Sequence, residues 1–406
     1  MKPVIRSLTL KGFRSFALER VQFDNPTFLV GQNGSGKTNL ASAFSFLAAA
    51  MSFPLQEVVK SRGGFSAVCH KTPNPNLTAG FGLAIEFAEI NGEVKGGRYA
   101  FQVRGLSDYS FDVVREQCIV ELGEGKTFYF DRHESESYDY GFRSTSPTSE
   151  TTIMRPLLDP ASLVLPTIGG DPRLTPILRT LAAMRVYSIE PSRLRDLQDP
   201  DRGFGLQWDG GNAASVLQQL ARTSPSVVDR ISELLTGVLP HKVSVRPLQL
   251  GQKLTLEFKQ EWGENQAVMF DASSMSDGTL RVLGILLAVF QETAPSLTLI
   301  EEPEATVHPG TLSLISDLLK IASDKTQVIV TTHSPELLDA KWIEDRHLRV
   351  VEWKEGESHV SGIATGARRA LQEHLMGAGE LFRSSALDSP PLPRDTQEPS
   401  LFEDVD

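Results

Sequence analysis

The chain has 406 residues, of which 40% are apolar and 22% charged, and its formal net charge is -11 at pH 7. This length predicts about two to three domains around a sizeable core, and the composition excludes a fibrous or wholly disordered protein. The acidic balance argues against a protein coated in basic surface, so any contact with nucleic acid must come from a local basic face.

The N-terminal residues alternate between apolar and polar types, as in a strand, and lack the apolar region of a signal peptide. No run approaches the roughly 18 uncharged residues that a membrane span needs. The two cysteines, Cys69 and Cys118, are too few for a disulfide framework and suit a reducing compartment. We therefore expect a soluble cytoplasmic protein without a membrane partner.

The first half of the chain favours strands. Alternating or continuous apolar runs predict strands at 4–10, 21–23 and 27–30, a helix at 39–51, and a strand-rich stretch at 77–130. The polar segment 131–152 has no apolar period, so we expect a mobile surface loop there.

In the second half, helical and strand patterns alternate. Helices are predicted at 174–184, 213–221, 227–235, from Ser276 onward and at 311–321, and strands at 243–248, 254–258, 297–300, 328–331 and 348–353. From Ser276 the alternation predicts a parallel sheet covered by helices.

We divide the chain into four parts. Residues 1–52 and 271–386 form the two parts of one α/β head, 53–270 form a β-rich and helical insert, and the proline-rich, acidic stretch 387–406 is expected to be disordered.

A phosphate-binding loop is the strongest motif. "GQNGSGKT", residues 31–38, fits G-x-x-x-x-G-K-[ST] at every fixed position and lies between a predicted strand and a predicted helix. Glycines allow backbone amides to approach phosphate oxygens, Lys37 can reach the β- and γ-phosphates, and Thr38 can bind Mg²⁺. The predicted ATP contacts in and beside this loop are Asn33, Gly34, Ser35, Gly36, Lys37, Thr38 and Asn39.

Two carboxylates follow an apolar strand in "LTLIEEPE". Carboxylates at the end of a buried strand are unfavourable unless a positive group meets them. In a P-loop protein that group is the nucleotide-bound Mg²⁺, so we assign Glu301 to the metal and Glu302 to the general base. The next strand ends in "TTHSP", where His333 can sense the γ-phosphate, because the carboxyl ends of parallel strands line the ligand crevice.

In this order the motifs resemble those of ABC-type ATPases of the SMC and RecF group, in the branch shared with the ATPase half of OLD-family nucleases. "LKGFRSF" resembles the opening strand of that group, "FLVGQNGSGKTNL" its Walker A, "SMSDGTLR" its signature, "LTLIEEPEATVHP" its Walker B and D-loop, and "VTTHSPELLD" its histidine switch. The resemblance implies an α/β P-loop fold of the ABC and SMC-head type, with a mixed sheet core, a β-rich N-terminal subregion and an α/β insert.

The resemblance also implies how ATP is used. Arg14 is expected near the nucleotide, and the signature residues Ser276 and Gly278 are expected to contact the γ-phosphate bound to a second subunit. Two copies would then sandwich ATP as a head-to-tail homodimer that hydrolysis releases, since dimer affinity would depend on the γ-phosphate.

Some features depart from the family pattern. Glu301 stands where many relatives have Asp, the glutamine loop has no clear position, and no long heptad stretch supplies SMC arms. We expect no Toprim nuclease domain, and the histidines His70, His133, His241 and His374 lack paired metal ligands at suitable spacing. The candidate partners are therefore DNA and a separate nuclease or toxin effector.

Three functions remain open from the sequence. The first is an ATP-gated dimeric switch on nucleic acid, or on a partner that processes it, in DNA maintenance or phage defence. The second is the ATPase subunit of a transporter, which the Ser-Asp-Gly-Thr signature and the large insert disfavour. The third is a scaffold or sensor that binds ATP without hydrolysing it.

Overall fold

The structure is a computed structural model of the chain. It describes residues 4–71, 80–90, 92, 94–107, 110–123, 126–134, 140–145, 159–239, 241–262, 266–390 and 399–404.

Sixteen strands form three sheets in the described parts of the chain. They are β1 (Ile5–Phe13), β2 (Phe16–Gln22), β3 (Thr27–Val30), β4 (Gly80–Phe87), β5 (Gly96–Ser107), β6 (Ser110–Gly123), β7 (Lys126–Glu134), β8 (Tyr140–Thr145), β9 (Arg185–Tyr187), β10 (Lys242–Leu250), β11 (Lys253–Glu261), β12 (Ala267–Asp271), β13 (Leu297–Glu301), β14 (Gln327–Thr332), β15 (Leu348–Lys354) and β16 (Glu357–Ser361).

Thirteen α-helices connect or cover these strands in the same ranges. They are α1 (Lys37–Ala50), α2 (Leu55–Lys60), α3 (Phe65–Val68), α4 (Val164–Ile168), α5 (Thr175–Ala182), α6 (Pro191–Arg195), α7 (Ala213–Thr223), α8 (Pro225–Thr236), α9 (Asp277–Phe290), α10 (Leu312–Ser323), α11 (Pro335–Leu338), α12 (Thr365–Gln372) and α13 (Ala378–Arg383).

The central sheet has six strands in the order β16-β15-β3-β14-β13-β9. All neighbouring pairs in it are parallel except β15 and β16. This confirms the predicted parallel sheet. Because β3, β14 and β13 lie side by side and run the same way, their carboxyl ends meet at one edge of the sheet.

Two hydrophobic cores cover the two faces of the central sheet. Successive strand residues point to opposite faces, so Leu29 joins one core whereas Phe28 and Val30 join the other. The first core contains α1 and the inner face of a seven-stranded antiparallel sheet, and the second contains α7, α9 and α10. Helix α1 is therefore held between two sheets, where the Phe46 ring lies 5.3 Å from that of Phe81 on β4.

The seven-stranded sheet has the order β2-β1-β4-β5-β6-β7-β8. It contains strands from both sides of residue 52, so the boundary that we predicted at this residue falls inside the sheet. A third sheet, β10-β11-β12, packs against α7 and α8 through the second core.

The loop predicted for 131–152 is partly wrong, because β7 extends to Glu134 and residues 140–145 form β8. Asp131 and Arg132 are buried in β7. The Asp131 carboxylate accepts hydrogen bonds of 3.0 and 2.6 Å from Arg115 on the neighbouring strand. Charged residues that are paired across strands leave no apolar period, which is why the pattern misled. Residues 135–139 and 146–152 lie outside the described ranges.

The disorder predicted for 387–406 is wrong for residues 399–404, which pack on the seven-stranded sheet. Leu401 is only 4% exposed. Residues 391–398 and 405–406 are not among those described.

Candidate functional site

The predicted phosphate loop lies between β3 and α1. Gly36 has φ 112°, in the left-handed region that glycine adopts without strain. A Cβ at this position would overlap the hydroxyl of Ser358 on β16. The Ser358 Oγ also donates a hydrogen bond of 2.8 Å to the carbonyl of Ser35. The loop is therefore shaped from behind by a strand more than 300 residues away.

Lys37 begins α1 and turns back over the loop. Its Nζ donates to the carbonyls of Gly31 and Gln32, both at 2.8 Å. Burial lowers the pKa of Lys37, and the carboxylates of Glu302 and Glu304 oppose this shift. The ammonium is thus placed among acceptors at the loop that a nucleotide phosphate can replace.

A cavity of about 220 Å³ opens above the loop. It is lined by Asn33, Gly34, Gly36, Lys37, Thr38, Asn39 and Glu302. Six of the predicted loop residues and the predicted general base therefore meet in one space. Ser35 is buried and is not among the residues that line this cavity.

The predicted metal ligands come from two elements. Thr38 lies in the first turn of α1 and donates a side-chain hydrogen bond to Glu301 at the end of β13. Burial raises the pKa of Glu301, and the Thr38 hydroxyl opposes the shift. A hydroxyl and a carboxylate side by side are the hard oxygen donors that suit Mg²⁺.

Three or more His, Cys, Asp and Glu side chains do not come together as a metal-binding group anywhere in the described residues. This agrees with the unpaired histidines of the sequence. A nucleotide-bound Mg²⁺ needs fewer protein ligands, because phosphate oxygens and water complete its coordination.

Glu302 directly follows β13 with φ 42°, an unusual backbone conformation for a residue with a side chain. Its N–H donates to the carbonyl of Thr331 on β14 at 3.0 Å. The side chain is half-exposed and faces the cavity, and its Oε1 lies 3.6 Å from His333 Nδ1. The structure therefore brings the predicted base and the predicted γ-phosphate sensor together.

Glu304 is a residue of this site that the sequence analysis missed. Its side chain is 6% exposed, and its Oε1 lies 3.5 Å from His333 Nδ1. The same oxygen accepts hydrogen bonds from the Thr332 hydroxyl at 2.6 Å and from the His333 N–H at 2.9 Å. The third carboxylate in "EEPE" was the available signal, but nothing in the sequence shows that it turns inward.

Arg14 lies beside the loop, as the resemblance implied. Its Nη1 is 3.4 Å from the Asn39 Oδ1, and Asn39 Nδ2 donates to Ser15 Oγ at 2.8 Å. Burial lowers the pKa of Arg14, and the nearby Glu301 carboxylate opposes this. Arg14 has φ 49°, so the turn after β1 holds the guanidinium at the site in an unusual backbone conformation.

The signature residues are placed differently. Ser276 caps α9, because its Oγ accepts the Thr279 N–H at 3.2 Å. A Cβ on Gly278 would come within 2.9 Å of the Thr306 carbonyl, so this glycine allows the turn after the carboxylates to pack on the helix. Ser276 and Gly278 are not among the residues that line the cavity above the loop. Within one chain they are thus separate from the phosphate site.

The fold is that of the P-loop ATPases of the ABC and SMC-like class. Several Smc head structures superpose on nearly the whole chain at low identity. A crystal structure of the SmcHead bound to the C-winged helix domain of ScpA gives a TM-score of 0.56 at 15% identity, over 90% of this chain and 99% of that chain. An Smc head domain with an extended coiled coil, bound to the C-terminal domain of ScpA and derived from Pyrococcus furiosus, gives 0.56 at 13% identity, over 92% and 99%. An Smc head domain with a coiled coil and joint, derived from Pyrococcus yayanosii, gives 0.54 at 11% identity, over 92% and 100%.

Two family models match the sequence in separate segments. The model described as "AAA ATPase domain" matches residues 1–104, and the model described as "AAA domain, putative AbiEii toxin, Type IV TA system" matches residues 190–339. No curated protein matched the sequence. The fold and these two matches together identify an ABC/SMC-like ATPase. Among the described helices, none has both the length and the apolar character to cross a membrane.

Proposed function

We propose that the chain is an ATP-hydrolysing switch that binds Mg²⁺ and ATP at the 31–38 loop, pairs head to tail with a second copy while ATP is intact, and separates after hydrolysis. The observation that carries the hydrolytic part is the position of Glu302, which faces the phosphate cavity with His333 3.6 Å away.

Phosphate binding falls to the loop and to Lys37. The backbone amides before α1 and the positive end of its helix dipole favour an anion. Lys37 Nζ exchanges the carbonyls of Gly31 and Gln32 for phosphate oxygens, which removes part of the unfavourable burial of its charge. Thr38 and Glu301 would hold Mg²⁺, which supplies charge neutralisation at the phosphates.

Hydrolysis requires a group that orients and deprotonates the attacking water. We assign this to Glu302, because it is the carboxylate that lines the cavity, whereas Glu304 is buried behind His333. Glu304 accepts the His333 N–H and thereby fixes the position of the histidine relative to Glu302. We assign His333 to the γ-phosphate.

Dimerisation is supported by the placement of the signature. The N-terminus of α9 is capped by Ser276 and offers the positive end of a helix dipole, which favours an anion. Because Ser276 and Gly278 do not line the cavity of their own chain, a phosphate of a second copy is the anion that we assign to them. The contact would then depend on the γ-phosphate, and its loss would release the pair.

For partners, we propose a protein or nucleic acid that responds to this cycle, in DNA maintenance or phage defence. The Smc heads that the chain resembles in fold are bound to domains of ScpA, which supports a protein partner. The arginines of α6 offer little to nucleic acid, because Arg193 pairs with Asp209 at 3.0 Å and Arg195 pairs with Asp277. The effector that we favour is a separate nuclease or toxin.

The hydrolytic proposal is tested by Glu302→Gln. Removing a preorganised charged group of this kind is expected to lower the rate of phosphate release by about 10²- to 10³-fold, with ATP affinity retained. Phosphate release and binding of a fluorescent ATP analogue are measured on the same preparations. Glu233→Gln, on the exposed face of α8, is the matched control.

Retention of full phosphate release by Glu302→Gln would contradict the assignment of the base. ATP held by the parent chain without phosphate release would favour the scaffold or sensor hypothesis. Stable co-purification with a membrane subunit would favour the transporter hypothesis.

A further inference from the structure

The outer face of the seven-stranded sheet is covered by a short peptide segment. Ala84, Ala100, Gln117 and Asp131 are paired in turn across β4, β5, β6 and β7, so they form one row on the face opposite the first core. One face of an antiparallel sheet is commonly solvated and polar. Here Ala84, Ala100 and Gln117 are at most 1% exposed, because residues 399–404 lie over them.

Leu401 fills a pit in this face. It forms a small cluster with Ala84 and Ala100 that is distinct from the two main cores. A Cβ on Gly82 would overlap the Leu401 Cδ1, so glycine makes the pit deep enough. Three small residues in neighbouring positions therefore match one leucine side chain.

Gln117 binds the backbone of the segment at both polar groups of one residue. Its Nε2 donates to the Glu403 carbonyl at 2.8 Å, and its Oε1 accepts the Glu403 N–H at 3.0 Å. The amide is held from below by Asp131 Oδ2 at 2.9 Å, and Asp131 is fixed by Arg115. The contact is thus made by a buried, oriented side chain.

Two arginines add the charge preference. The Arg98 guanidinium donates to the Ser400 carbonyl, and its Nη1 lies 3.3 Å from Glu403 Oε1. The Arg115 guanidinium lies 4.5 Å from the centre of the Phe402 ring, within the range of a cation–π contact. The face therefore recognises a leucine, an aromatic ring and a carboxylate in succession.

We propose that this face is a docking site for a short Leu-Phe-acidic peptide, which the chain's own 399–404 segment occupies and which a partner protein takes by displacing it. Occupancy by the segment follows from its attachment, since a short connection gives an effective concentration on the order of millimolar. The eight residues 391–398 are that connection. A free partner peptide of the same chemistry competes only when it binds more tightly or when the segment is released.

The test uses a fluorescent synthetic peptide of residues 399–406 and the full chain carrying Leu401→Ala with Phe402→Ala, which frees the face. Fluorescence anisotropy is expected to show binding to this variant and binding about 10²-fold weaker to the parent chain. A peptide with Leu401→Ala is expected to lose binding, whereas one with Asp404→Ala, at an exposed position, keeps it. These peptide variants leave the folded protein unchanged.

Several outcomes would overturn the proposal. They are equal binding of the peptide to both chains, no binding to the double variant, and undiminished binding of the Leu401→Ala peptide. Conversion of a parent dimer to a monomer by the double variant would also overturn it, because the segment would then serve a second copy. Loss of ATP hydrolysis in Glu302→Gln bears on the proposed function only.

Discussion

At the scale of single residues, the site depends on two neighbouring carboxylates in different environments. Glu302 is half-exposed at the cavity, whereas the side chain of Glu304 is 6% exposed and accepts two hydrogen bonds. The positive φ of Glu302 turns the chain so that the two side chains, separated by Pro303, both lie near His333. Strained backbone of this kind persists where the surrounding structure fixes it, often at functional sites.

Glu304 is expected to position His333 rather than to react. Glu304→Gln keeps an oxygen for the Thr332 hydroxyl and the His333 N–H but removes the charge beside the imidazole. We expect about a tenfold fall in kcat with little change in KM or in the melting temperature.

The comparison variant is Glu304→Leu, which leaves both donors without an acceptor and should lower the free energy of unfolding by about 1–3 kcal/mol. Phosphate-release kinetics and thermal melts separate the two effects. An unchanged kcat in Glu304→Gln, with a normal pH profile, would remove the positioning role.

Glu301 leads to a prediction about pH. Burial raises its pKa above the ordinary value of 4.5, so its protonated form persists to a higher pH than for an exposed glutamate. Metal binding needs the ionised carboxylate, so Mg²⁺-dependent ATP affinity should begin to fall at a higher pH on acidification.

Glu301→Gln is expected to remove that part of the pH dependence. The measurement is the affinity for a fluorescent ATP analogue, with and without Mg²⁺, for both chains across the same pH series. Parallel curves for the two chains would show that Glu301 does not titrate at the metal site.

At the scale of elements, α9 combines a capping role with the proposed contact in trans. Ser276→Asp keeps an N-cap acceptor for the Thr279 N–H, since Asp caps about as well as Ser, but adds a negative charge where a partner's phosphate would lie. We expect normal melting and normal ATP binding, with loss of ATP-dependent pairing and of turnover.

Ser276→Ala is the complementary change, because it removes the cap at about 0.5–2 kcal/mol in stability without adding charge. Light scattering and ATP binding are measured for both variants. Pairing that survives in Ser276→Asp would leave Ser276 with a capping role only.

Elements with a clear apolar pattern could be predicted, and elements stabilised by paired charges could not. The central strands and α1, α9 and α10 follow continuous or periodic apolar residues, and the structure has them within a few residues of the predicted ends. The end of β7 is charged because Asp131 and Arg115 satisfy each other across strands. Only the neighbouring strand explains such a residue, and its register is not written in the local sequence.

At the scale of the whole molecule, the site forms where one sheet edge gathers the ends of β3, β14 and β13. Their residues are far apart in sequence, yet each site residue follows directly after an apolar strand, which made the site predictable. Glu304 and the outer face of the seven-stranded sheet lack this advantage. Arg98, Gln117 and Leu401 acquire a shared purpose only when three distant segments are folded together.

The central claim is that intact ATP joins two chains, and light scattering of the Glu302→Gln protein tests it most directly. Blocking hydrolysis should trap the pair, so the measured mass is expected to be that of two chains in ATP and of one chain in ADP, and Ser276→Asp added to the same protein should restore the single mass. A single-chain mass for Glu302→Gln at saturating ATP would contradict the account.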